Sequence, residues 1–150
     1  MKKLFFTASL AAILSVCNST PAAAAPYTTP GPQTIGYDSY NPTATAHLHA
    51  MLGKTATAAI SINDKVSDLT STETAELLAL LKGAKSATTL CAPADCFYLN
   101  LQTAEGEWLM SLPVQKTQQG IVLLYLKLQG NQAGAPLQNW WSGVSNRLGL

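Results

Sequence analysis

The chain has 150 residues, a formal net charge of +1 and only 11% charged residues. No cluster of Lys and Arg occurs, which excludes the electrostatic footprint of a nucleic-acid binder. The length suits one domain with one core.

The chain opens MKKLFFTASLAAILSVCNSTPAAAAP. Lys2 and Lys3 form a positive start, and Leu4 to Val16 is an apolar stretch too short to span a bilayer. The small residues Ala22 to Ala25 follow and offer cleavage sites. Residues 1–24 therefore read as a secretory signal peptide that is removed. Cys17 sits after the apolar stretch, as a lipid-anchored cysteine does. Val16 before it is not the small residue a lipoprotein site wants, so the alanine run is the better site and a lipid anchor is disfavoured. Removal leaves about 125 residues, with seven Lys and Arg against eight Asp and Glu, a formal charge of −1. No later apolar run is long enough to cross a membrane.

Residues 25–42 carry Pro26, Pro30, Pro32 and Pro42 with Tyr27, Tyr37 and Tyr40. They read as an extended arm with little to bury, whose tyrosines suit contact with the domain or a partner. The rest, 43–150, reads as a single domain. Its first stretch, TATAHLHAMLG, admits two readings. Asn41-Pro42 ahead of it and Gly53 after it suit a short helix. Its alternation, with a turn at Gly53-Lys54, suits one arm of a hairpin. The capping residues tip the balance to the helix.

Residues 55–62 alternate, with Ala56, Ala58, Ile60 and Ile62 on one side, as a half-buried strand does. Asn63-Asp64 then turns the chain. Thr70-x-x-Glu73 is a capping-box pattern, and the run STETAELLALLKGAKS carries a leucine stripe closed by Gly83. A meander follows: Phe97, Leu99 and Leu101 alternate on one strand, Trp108, Met110, Leu112 and Val114 on the next. IVLLYLKL is apolar on both faces and reads as a central or covered strand. Last, Leu137, Trp140, Trp141, Val144 and Leu148 mark one face of a helix opened by Pro136. The fold class is α+β: a small antiparallel sheet of about four strands with helices packed on one face and one disulfide.

Candidate chemistry begins with Cys91 and Cys96. Zinc would need about four N or S ligands, and a thioredoxin-type site needs Cys-x-x-Cys at a helix start. Here four residues separate the cysteines and a strand follows. In an exported chain with two cysteines left after processing, a disulfide is the default. His47 and His49 are the only histidines. On a strand both rings would share a face and could hold a metal; on a helix they lie about 200° apart and could not. Glu105/Glu107 flank a turn, and Asp64/Asp68 lack the calcium-loop pattern. No nucleophile, phosphate-loop or metalloprotease motif occurs, so no catalytic residue, metal ligand or cofactor is assigned.

Aromatics are the remaining signal. Trp140 and Trp141 are about 100° apart on their helix; the favoured reading packs both against the sheet, and the alternative puts one at the flank of the apolar face, where tryptophan makes an interface anchor or a sugar-stacking platform. With Tyr37 and Tyr40 they form the candidate binding set; Trp108 is expected in the core. The leading expectation is an exported, periplasmic, non-enzymatic protein-binding protein. It would be an inhibitor or immunity protein, or an accessory of an envelope secretion or pilus system, with another envelope or exported protein as its partner. A carbohydrate, peptidoglycan or small-ligand binder is the second reading. A small enzyme or metal-binding protein using His47 or His49 is the third.

A Cys91–Cys96 bond would close a small loop and stabilise the fold by roughly 2–3 kcal/mol. Thiol counting on the native exported protein should find no reactive thiol, and a reductant should lower the melting temperature. Two reactive thiols would contradict the bond.

Overall fold

The computed structural model describes residues 40–87 and 93–150. The described residues form an α+β fold with the element order α1 (Pro42–Lys54), β1 (Thr57–Ile62), β2 (Lys65–Asp68), α2 (Ser71–Leu81), β3 (Lys85–Ser86), β4 (Phe97–Gln102), β5 (Trp108–Thr117), β6 (Gly120–Leu123), β7 (Leu126–Lys127) and α3 (Ala135–Leu148). Five strands make an antiparallel sheet in the order β2-β1-β4-β5-β6, and β3 pairs with β7.

Each helix starts where its sequence signals say. Asn41 caps α1 by accepting from the amides of Thr43 (2.8 Å) and Ala44 (3.2 Å), and Pro42 occupies the first turn. The helical reading of this stretch holds, and Gly53 lies inside the helix instead of closing it. Ahead of it, Asn41 N–H donates to Ser86 O and Tyr40 bridges to Ala87, so Tyr40–Pro42, read from sequence as the end of the arm, are tied to the domain. The capping box of α2 is complete: Glu73 N–H donates to Thr70 Oγ1 (3.1 Å) and Thr70 N–H to Glu73 Oε2 (2.8 Å).

The sheet has one strand more than the sequence suggested. Asn63 and Asp64 both have positive φ (49° and 64°), so they form a two-residue turn whose twist matches a hairpin. They fold β2 back onto β1, with Ile62 opposite Lys65. The signal was in the sequence, since Asn and Asp tolerate left-handed backbone. Lys65-Val66-Ser67-Asp68 simply carries too little apolar pattern to be read as a strand.

IVLLYLKL departs further from expectation. It is not one central strand. β6 lies at the sheet edge, Tyr125 takes a left-handed conformation (φ 61°), and β7 leaves to pair with β3. Its apolar residues serve two cores, Ile121, Leu123 and Leu128 in the main one and Leu124 and Tyr125 in a small second one. Two destinations produce a run that is apolar all round.

Paired residues share a face, so the register sorts the sheet. Ala58, Ile60, Phe97, Leu99, Leu101, Leu112, Val114, Ile121 and Leu123 line one face. Leu48 of α1, Leu77 and Leu81 of α2, and Leu137, Trp140, Trp141 and Val144 of α3 join them in one core. Full burial of a Leu- or Phe-sized side chain contributes about 1.5–3 kcal/mol, against about 1 kcal/mol for a helix cap. Packing on this face therefore outweighs the local signals.

Glu73 links three elements. Its carboxylate takes two bonds from Arg147 of α3, from Nε and Nη2, both 2.6 Å. Arg147 Nη2 also donates to Asp68 O of β2 (3.1 Å), and Trp140 Nε1 donates to Glu73 O (2.9 Å). Chiefly through the Arg147 hydrogen bond, its carboxyl is held below the usual carboxylate value. Stability from this shift is present above the unfolded-state value of about 4.3 and lost as pH falls through the lower folded value. Glu73→Gln should thus be less stable than the parent at neutral pH, and the gap should close on acidification below about pH 4. Urea melts across pH check this; a gap that stays constant contradicts it. In the same assay Thr70→Ala should cost about 1 kcal/mol.

Candidate functional site

The sequence-derived candidates fare unequally. Trp140 and Trp141 are both buried, each 6% exposed. Both pack inside, as the favoured sequence reading has it, because α3 packs on the sheet and α2 together, and the alternative of one exposed at the flank is not met. Trp141 stacks on Phe97 of β4 at 5.2 Å between ring centres, while Trp140 turns to α2 and gives its N–H to Glu73 O. Neither is available as an interface anchor. Tyr40 is half-buried against the Ala87, Leu124 and Tyr125 cluster, and burial raises its phenol above the ordinary value. It fastens the chain to the domain. Tyr37 lies outside the described residues.

Cys96 is half-buried beside Asp95, and Cys91 lies outside the described residues, so their bond stands as an expectation. As a free thiol, Cys96 is pushed up to about 11 by burial and by the Asp95 charge. Almost none of it would be thiolate at neutral pH, the form that redox and metal chemistry require.

His47 and His49 sit on α1, two residues apart, so their rings diverge. His47 is exposed, and His49 Nε2 donates to Ala84 O (2.8 Å). The shared-ion geometry open to a strand is therefore absent for this pair. Among the described residues no three His, Cys, Asp or Glu side chains group as metal ligands. The cleft between α2 and α3, about 360 Å³, is lined by Glu76, Leu80, Pro136, Asn139 and Trp140 among others and holds one ionisable group. Acid–base chemistry needs convergent groups, and a single carboxylate does not supply them.

The surface that sequence reasoning missed is the other face of the sheet. Register places Ser61, Tyr98 and Pro113 in one row, Ala59, Asn100 and Ser111 in the next, and Gln115 with Val122 beside them. No described helix contributes to this face. Trp108 belongs to it as well, against expectation. The β4–β5 register shifts between Leu101 and Gln102, so Met110 faces Leu101 while Trp108 faces Gln102. The extra residue, Leu109, is a bulge that re-aims the indole to the opposite face. Strict alternation from Val114 back to Trp108 could not reveal it.

A polar chain fixes that indole. Trp108 Nε1 donates to Ser111 Oγ (2.9 Å), which donates to Asn100 Oδ1 (2.7 Å). Asn100 is 2% exposed, so its oxygen needs this partner. Gln115 Oε1 is buried with no hydrogen-bond partner among the described residues. Tyr98, Trp108, Pro113 and Val122 are half-buried. The face thus carries two half-buried aromatics among mixed polar groups.

No described helix is long and apolar enough to cross a membrane. Compared with protein families, curated proteins and solved structures, the chain has no match in any of the three.

Trp108 is the tryptophan a soluble quencher should reach. Acrylamide should quench part of the native emission, and Trp108→Phe should remove most of that quenchable part. An unchanged quenchable fraction would place the indole elsewhere.

Proposed function

We propose that this is an exported, periplasmic, non-enzymatic protein-binding protein. It would inhibit or protect against an exported enzyme, or serve an envelope secretion or pilus system as an accessory. The leader sequence supports export. One observation supports the binding reading: the sheet face that no described helix covers, with half-buried Tyr98 and Trp108 on adjacent strands. Aromatic side chains are enriched at interface cores, because they bury much surface with few rotatable bonds. That surface replaces Trp140 and Trp141 in the account.

The half-buried indole of Trp108 also supports the second reading, a sugar binder that stacks a ring on an aromatic. The two readings separate in one pair of experiments. The mature protein, immobilised and exposed to periplasmic extract, should retain a stoichiometric exported protein. Tyr98→Ala and Trp108→Ala should weaken that capture roughly tenfold or more, and His47→Ala should not. Failure to retain any protein across several growth conditions overturns the reading. A shift of tryptophan emission on titration with peptidoglycan fragments, without capture, transfers the face to sugars.

A further inference from the structure

Both edges of the five-stranded sheet carry backbone groups that no neighbouring strand takes. At β6 the edge is capped at Ile121. Ile121 N–H donates to Gln138 Oε1 and Gln138 Nε2 donates to Ile121 O, both 2.8 Å, so an amide side chain of α3 takes the place of a strand. Gly120 makes room for it, since a Cβ there would collide with the Gln138 amide.

The β2 edge is different. Leu69 N–H donates to Ala58 O, which makes that pair hydrogen-bonded. Alternation along an antiparallel ladder then makes Ile60/Ser67 and Ile62/Lys65 hydrogen-bonded as well. Val66 and Asp68 fall between, with their N–H and C=O aimed away from β1. Arg147 takes Asp68 O. No partner takes the Val66 N–H or C=O among the described residues. The Val66 side chain is 56% exposed, the most exposed large apolar residue described, and it faces the Ser61 and Tyr98 row. Natural edges protect themselves with a charge or proline where a strand could add. Here Lys65 and Asp68 stand at the ends, and the middle holds valine with its backbone open.

We propose that the β2 edge is a docking site for an extended segment of a partner protein, which pairs with Val66 as a sixth strand. The inference rests on the protein-binding reading and adds the place and form of the contact. Strand addition gives affinity through main-chain bonds and selectivity through alternate side chains. The segment's residue opposite Val66 is apolar and lies at the rim of the helix-free face, so its neighbours continue toward Tyr98. A second copy of this chain fits poorly. Two-fold pairing of Val66 with Val66 sets Asp64 of each copy against Asp68 of the other, like charges facing each other.

The test is selection of a displayed library of random short peptides on the mature protein, followed by binding to two variants. Val66→Pro removes the outward N–H and is tolerated at an edge; Val66→Thr keeps the backbone donor. Enriched peptides should bind the parent and Val66→Thr, lose roughly tenfold or more on Val66→Pro, and slow amide exchange at Val66 in the parent. The exchange arm stands even if Val66→Pro folds poorly. No enrichment, or peptides that leave the Val66 amide unprotected, overturns the proposal. So does a dimer of the parent that Val66→Pro dissociates, which assigns the edge to a second copy. Capture from periplasmic extract that persists in Val66→Pro overturns the edge and leaves the binding reading intact; peptide binding without any such capture does the reverse.

Discussion

The described fold depends on one constraint: its three helices are packed onto a single face of a five-stranded sheet. The apolar stripe of α3 decides how that is met. Its adjacent tryptophans are both buried because the helix lies on the sheet and on α2 at once. Glu73 then fixes the corner where α2, α3 and β2 meet, through the capping box, Arg147 and the Trp140 N–H. The described helices all pack on one side, and the other face carries buried Ala59 and Asn100 beneath half-buried Tyr98 and Trp108.

This division explains which features can work as sites. Groups that look chemically capable in isolation are spent on the scaffold: His49 holds Ala84 O, and Trp140 holds Glu73 O. Cys96 is half-buried, and burial raises its thiol. What remains is a surface of backbone and aromatic groups. The proposed recognition would draw on packing and main-chain pairing, with few charges, in keeping with a chain of low charge content.

Much of the fold was legible in the sequence because local and tertiary signals agree. Asn41-Pro42, Thr70-x-x-Glu73 and the Leu137 to Leu148 stripe each state a helix and its buried face. The misreadings have specific causes. The hairpin to β2 rests on the left-handed Asn63-Asp64 turn followed by a strand with little apolar pattern. The bulge at Leu109 inverts Trp108 and is silent in the sequence, since alternation only assumes an unbroken ladder. Adjacent tryptophans suggest one inside and one outside only while a helix has a single neighbour. The candidate site suffered most, because it is built from a bulge and an edge, the two places where period-two reasoning fails.

The central claim is that the proposed recognition uses the sheet face that no described helix covers and its β2 rim. Hydroxyl-radical footprinting of the mature protein, alone and with its captured partner bound, tests it most directly. The account predicts that Tyr98, Trp108 and Val66 lose oxidation in the complex while Met51 on α1 keeps its level. Protection confined to the helical layer, with Tyr98, Trp108 and Val66 oxidised as in the free protein, would contradict it.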